Sequence, residues 1–170
     1  MLSGNDILKK LPHVNIVLYQ DLPKFKTIES ALGKSGQLII LYPVKNSTHG
    51  HWTCVFLNPN DRKIYFFDSY GYVPDDQLGF MSKKAMKHFN PRDFMYLTKL
   101  LYKASSEGKE IDYNQYQFQA DDPGVTTCGY WCLARLSFRN LTTDEFHDLF
   151  YKQKGVNPDQ LVQFYVYNLM

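Results

Sequence analysis

The stretch Thr126-Thr127-Cys128-Gly129-Tyr130-Trp131-Cys132, entered through Asp121-Asp122-Pro123-Gly124, organises the reading of the whole chain. Asp-Asp-Pro-Gly continues neither a strand nor a helix, because proline fixes φ and glycine frees it. Thr127 then stands as an N-cap ahead of an apolar run that continues through Leu133, Ala134, Leu136 and Phe138. The pattern predicts a tight loop feeding a buried helix, with Cys128 in its first turn. At such a position the free amide N–H groups and the positive end of the helix dipole favour thiolate over thiol. Cys128 is therefore a candidate nucleophile. It needs a base, a group to orient that base, and donors for an oxyanion.

Working outward, the clearest β region lies upstream. Gln37 to Val44 is a nearly continuous apolar run, the pattern of a strand covered on both faces. A polar loop, Lys45 to Gly50, leads to a second apolar strand from Trp52 to Leu57. Asn58-Pro59-Asn60-Asp61 is a turn signal, and Lys63 to Phe67 returns as a third strand, completing a meander. Before it, residues 1–12 read as a short capped helix stopped by Pro12, and Val14 to Tyr19 as strand-like. Thr27 to Leu32 reads as one or two helical turns ended by Gly33. After it, residues 74–89 and 91–104 read as helical, with Pro91 in a first-turn position. Residues 111–119 alternate as a further strand, and helices start at Thr142 and at Asn157-Pro158. The expectation is one α+β domain over residues 1–170: a small, mostly antiparallel sheet packed by helices, with the nucleophile at the N-terminus of a buried helix.

Five histidines compete for the role of base. His13 sits at a helix exit, His88 in a basic helical stretch and His147 on a capped surface helix, all ordinary boundary positions. His49 and His51 lie where a polar loop enters a buried strand. His51, fixed at the strand start beside Trp52, is the better base. The following strand ends Tyr65-Phe66-Phe67-Asp68. If the two strands form a hairpin about residues 58–61, His51 and Asp68 face one another, and cross-strand neighbours approach to roughly 5 Å at Cβ. Asp68 is thus the expected partner of the imidazole. Asp75 and Asp76 read as helix caps, and Asp121 and Asp122 as turn formers. For the oxyanion, the Cys128 amide is one donor. A glutamine from the strand bearing Gln115, Gln117 and Gln119 is another, with Gln119 first choice and Gln117 second.

Composition bounds the alternatives. A net charge of +2 gives no support to nucleic acid as the main partner, and no apolar run approaches the ~20 residues of a membrane span. Three cysteines without framework spacing and no signal peptide point to free thiols in a reducing compartment. Cys128 and Cys132 lack the further close ligands that zinc requires, so no metal and no cofactor is expected. Cys132 and Cys54 read as small core residues. The Lys83-Lys84 to Lys87-His88 cluster reads as a solvated helix face, with contact to DNA or an acidic capsid surface as the alternative.

The order His51-Trp52, then Asp68 after an aromatic strand, then Gln119, then Cys128-Gly129 opening an apolar helix resembles the adenovirus-type and Ulp1-like cysteine proteases. The resemblance covers about residues 37–140. Leu41-Tyr42-Pro43 through Gly71 and the compact length look most like the viral branch, which includes proteases of adenoviruses, Polinton-like elements and virophages. The resemblance implies peptide-bond hydrolysis through a thioester, at Gly-containing sites in a narrow cleft lined by Trp52. Cys128 would be the nucleophile, His51 the base, Asp68 the orienting acid and Gln119 the oxyanion donor. The substrate would be a viral capsid or core precursor. The enzyme would act as a monomer in the virion and in the host-cell cytoplasm or viral factory, and would not be secreted. The peptide and DNA activators of the adenovirus enzymes find no counterpart residues here. Two alternatives remain at this stage: a processing protease for ubiquitin-like modifiers, and a relative that clamps a peptide without cutting it.

Overall fold

A computed structural model describes residues 1–46, 49–76, 78 and 95–170, with side chains of residues 44–49 left aside. Its centre is the predicted meander. Strand β2 (Gln37–Asn46) pairs antiparallel with β3 (His49–Leu57), and β3 antiparallel with β4 (Ile64–Asp68). Two short parallel strands flank them, β1 (Asn15–Leu18) along β2 and β5 (Ile111–Tyr113) along β4, so the mixed sheet runs β1-β2-β3-β4-β5. Successive strand residues point to opposite faces, and both faces are covered, which explains the unbroken apolar runs. Ile39, Leu41, Cys54, Phe56, Tyr65 and Phe67 enter one core; Leu38, Ile40, Tyr42, Val55, Ile64 and Phe66 enter the other.

The first face is covered by helices α1 (Gly4–Lys10), α4 (Cys128–Ser137), α5 (Thr143–Tyr151) and α6 (Pro158–Asn168). The second is covered by a 3₁₀ segment (Tyr19–Lys24), α2 (Ile28–Leu32) and α3 (Tyr96–Ser106). Helix α4 is buried from Cys128 to Leu136, as the unbroken apolar sequence predicts. Even Arg135 is enclosed. Its guanidinium donates to the carbonyls of Phe138 and Leu141 and lies over the Phe56 ring, while burial pushes its pKa down to about 10.

Three sequence expectations change. The strand-like run at 14–19 stops at Leu18, because Tyr19 opens the 3₁₀ segment that carries Pro23. The strand expected over 111–119 stops at Tyr113. There the side chain of Asn114 takes over the ladder, accepting the Asp68 N–H (2.9 Å) and donating to the Asp68 carbonyl (2.7 Å). With the backbone released, Phe118 and Gln119 both donate to the Ser69 carbonyl, and the three glutamines do not share a strand face. Finally, the β3–β4 register places Thr53, not His51, opposite Asp68. The connecting loop is longer than the turn signal suggests. Asn58 and Lys63 close it by an N–H to carbonyl bond, with Arg62 at φ 66° inside it. The helix expected over 74–89, the Pro91 turn and the lysine cluster fall almost entirely outside the described residues.

Candidate active site

The register displaces Asp68 by two residues from the expected pairing, and a shift of two keeps every side chain on its own face. His51 and Asp68 are therefore diagonal neighbours, within reach of long side chains. The imidazole spans the gap: His51 Nε2 lies 2.8 Å from Asp68 Oδ2. Asp68 is wholly buried and His51 nearly so. The other carboxylate oxygen, Oδ1, accepts the Tyr70 N–H at 2.7 Å. Asn114 grips the Asp68 backbone on both sides, so that His51, Tyr70 and Asn114 together hold the residue.

His51 follows Gly50, and here glycine is required. A Cβ at position 50 would stand 2.0 Å from the Tyr42 carbonyl oxygen, where β2 is irregular between Pro43 and Asn46. Tyr70 stacks on the imidazole, with ring centroids 5.1 Å apart. Burial alone would lower the pKa of His51. Hydrogen bonds to Asp68 and to Cys128, with the charges of both groups, more than offset it and hold the ring at about 10. Since Nε2 faces Asp68, Nδ1 is the nitrogen left for the thiol.

His51 and Cys128 open onto a cavity of about 270 Å³ that is also lined by Tyr70, Gln119, Asp122 and Val125. Gln119 is buried in its wall, while Gln115 and Gln117 are exposed and outside it. The Gln119 amide is engaged: Nε2 donates to the Tyr70 hydroxyl and to the Val125 carbonyl, and Oε1 accepts from Ser69 Oγ, all at 3.0 Å. Gln117 instead donates to the Gln119 carbonyl. Cys132 and Cys54 are fully buried in the core, and burial together with its hydrogen bond to Cys54 pushes the Cys132 thiol up.

Trp52 does not line this cavity. It lies beneath the N-terminal residues, 2% exposed, and its indole N–H donates to the Leu2 carbonyl at 3.1 Å. A Cβ on Gly129 would meet Leu2 Cβ at 3.2 Å and Trp52 Cδ1 at 3.3 Å, so the glycine after Cys128 lets three segments converge. The apolar contact with α1 and the Leu2 carbonyl together bury the indole.

Sequence reasoning missed Asn114, Tyr70 and Asp159. Asn114 and Asp159 carry residue types common at strand ends and in helix first turns, and nothing local separates these from their neighbours. Asp159 (6% exposed) accepts from the Thr127 hydroxyl, from Trp131 Nε1 at 2.8 Å and from the Ala120 N–H at 3.0 Å. A larger cavity of about 430 Å³ lies between the 3₁₀ segment and α3. It is lined by Leu22, Phe25, Tyr96, Leu100 and lysines, with no cysteine, histidine or carboxylate.

No protein-family model matches the chain. It is 36% identical over 168 residues to the uncharacterized protein V9 of Sputnik virophage, a match that spans 95% of this chain and 91% of that protein. Among solved structures, that of ChlaDub1 from Chlamydia trachomatis aligns over 97% of this chain and 77% of its own, with a TM-score of 0.42 at 16% identity.

Proposed function

The chain belongs to the family of the Sputnik virophage protein V9, and from that premise we propose that it is a cysteine endopeptidase of the adenovirus-type and Ulp1-like kind that matures viral capsid or core precursors. The observation that carries the reading is the buried 2.8 Å contact between His51 Nε2 and Asp68 Oδ2, beside Cys128 at the start of a buried helix. A histidine turned by a buried acid toward a cysteine at a helix N-terminus is the arrangement that thiol-based acyl transfer needs.

His51 is held protonated below about pH 10, so the thiol proton already rests on Nδ1 when Cys128 Sγ attacks the scissile carbonyl carbon. The carbonyl oxygen becomes an oxyanion, which the Cys128 N–H and the Gln119 amide are suited to receive. Collapse breaks the C–N bond, the proton passes from His51 to the leaving amine, and a thioester remains on Cys128. Water, deprotonated by His51, then hydrolyses the thioester. Asp68 holds the ring throughout and stabilises its protonated form. For Gln119 to serve, one of its N–H groups must leave Tyr70 or Val125 when substrate enters. Relationship to a virophage protein supports a viral role, and the proposal carries with it a structural-protein substrate and a monomer working in the virion and in the host-cell cytoplasm or viral factory.

The test is incubation of wild type and Cys128→Ala with the capsid precursor of the parent virus and with ubiquitin-like proteins carrying C-terminal extensions, read by intact mass. Cleavage of the precursor by wild type alone is expected. Cleavage of the extended modifiers instead would overturn the maturation role and leave a modifier protease. Binding without cleavage of either would overturn the enzyme reading.

A further inference from the structure

The helix starts of this chain differ in one respect. Ser3, Thr27, Thr142 and Asn157 each stand at an N-cap and accept an N–H from the first turn of their own helix. Each has an extended backbone, with ψ between 121° and 168°, which aims the side-chain oxygen at those amides. Thr127 has the same kind of side chain at the same position of α4, yet makes no side-chain cap; its φ and ψ are −100° and 2°. Its hydroxyl is turned outward and donates to Asp159 Oδ1. The same carboxylate holds the Trp131 indole one turn into α4 and the N–H of Ala120, the residue after Gln119. One buried carboxylate therefore fixes the start of the nucleophile helix and the segment that carries the glutamine.

We infer that Asp159 is a positioning residue that keeps Thr127 from capping α4, so that the first-turn amides beside Cys128 stay available to the sulfur and to an oxyanion. The Thr127 hydroxyl could donate to Asp159 and still accept an N–H; the bond withholds the cap by holding Thr127 at its non-extended φ and ψ. An extended Thr127 would accept the Gly129 or Tyr130 N–H and so cancel part of the positive charge that the first turn presents beside Cys128. Withdrawing the hydroxyl leaves that donor, and the partial positive charge it carries, facing the reacting atoms. A carboxylate is suited to the task because it only accepts. It orients the hydroxyl proton toward itself and can take the indole and Ala120 N–H groups at the same time. This inference rests on Cys128 being the nucleophile of the proposed reaction, but its test needs no substrate.

The experiment is alkylation of Cys128 by iodoacetamide across pH, followed by intact mass, in wild type, Asp159→Ala and the double variant Asp159→Ala/Thr127→Val. Cys128→Ala serves as the blank for the two buried cysteines. Asp159→Ala releases Thr127 to take the extended, capping conformation of the other starts, so alkylation at neutral pH should slow by roughly fivefold and its pH profile should move upward. The double variant has no hydroxyl left to cap with, and its profile should return toward wild type although it has lost one more polar group. Simple structural damage predicts the opposite, a double variant as slow as the single or slower. An unmoved profile in Asp159→Ala, or an unrescued double variant, would overturn the inference. If thermal unfolding shows that Asp159→Ala is not folded, Asp159→Leu, which keeps the shape without an acceptor, gives the same pair of outcomes with and without Thr127→Val. Failure to cleave any protein would sink the peptidase reading and leave this result standing.

Discussion

Asp75 and Asp159 are buried carboxylates serving opposite faces of the sheet, and they treat the helices they touch in opposite ways. Asp75 supplies a cap. The residue before α3 is Met95, held at φ 74° with no side-chain oxygen to offer, and Asp75 Oδ2 reaches across from another segment to accept the Thr98 N–H at 2.8 Å. Its other oxygen accepts the Tyr19 hydroxyl at 2.6 Å. Asp159 takes a cap away by drawing the Thr127 hydroxyl from the head of α4. The same functional group thus completes a helix where only packing is at stake and leaves one incomplete where a thiol stands at its first turn. Unsatisfied first-turn amides cost stability anywhere in a fold. Their presence at the start of α4 is informative because the other α-helices among the described residues have a first-turn amide held by a side chain.

The contrast breaks first if the chemistry does not reside at the α4 end. Cys128→Ala should lower peptidase activity by roughly 10⁴-fold or more while the thermal midpoint stays close to wild type, measured on a cleaved precursor and by thermal denaturation. The next largest effect is expected from Asp68→Asn, which keeps shape but favours the wrong imidazole tautomer. Activity should fall by roughly 10³-fold. The same variant carries a pH signature. Burial lowers the His51 pKa, but Asp68 and Cys128 more than offset it and hold the ring at about 10, above its ordinary 6.5. The stability contributed by the protonated ring is therefore complete below pH 6.5 and is lost as pH rises through about 10. Activity that depends on this proton should fall on the alkaline side near pH 10 in wild type, and at lower pH in Asp68→Asn. Identical alkaline limbs in pH-rate profiles would remove Asp68 from this role.

How far the site was legible follows from which signals are local. Cys128 at a loop-to-helix junction and His51 at a strand entrance are marked by their immediate neighbours, and the meander between them by apolar runs. Asp68 was found through a register argument that misplaced the pairing by two residues. It survived because side chains alternate with period two, so an even slip preserves the face; a slip of one would have sent the carboxylate to the other core. Trp52 was misread because the covering segment, Leu2 and α1, lies about fifty residues away in sequence. Asn114 and Asp159 were unreadable for the same reason, and Asp75, which reads as a helix cap, caps the distant α3. Each acts through hydrogen bonds across 23 to 56 residues, and an isolated Asn or Asp near an element end looks like an ordinary turn or cap residue.

The structural end of the comparison is sharpened by Asp75→Ala. That change removes the carboxylate that accepts the Thr98 N–H and the Tyr19 hydroxyl and should destabilise by roughly 2–4 kcal/mol in denaturant unfolding. Alkylation of Cys128 in the folded variant should keep its wild-type rate, because Asp75 touches nothing in the α4 segment. A slowed alkylation would mean that the two ends are coupled and that the contrast between them is not local.

The smallest effect concerns whether the site also keeps a donor in reserve at Gln119. Its amide donates to the Tyr70 hydroxyl and to the Val125 carbonyl in the absence of substrate, which is how a buried amide avoids being left unsatisfied. To receive an oxyanion it must exchange one of these acceptors for the substrate oxygen. Tyr70→Phe removes the hydroxyl acceptor and retains the ring that stacks on His51. One neutral hydrogen bond would then no longer oppose the exchange, so kcat should rise by roughly two- to threefold with little change in stability. Gln119→Ala should show the opposite sign. If Tyr70→Phe instead lowers kcat tenfold, the hydroxyl itself is the donor and Gln119 only holds it in place. Single-turnover rates of the two variants decide between these roles, because they isolate the step in which the oxyanion forms.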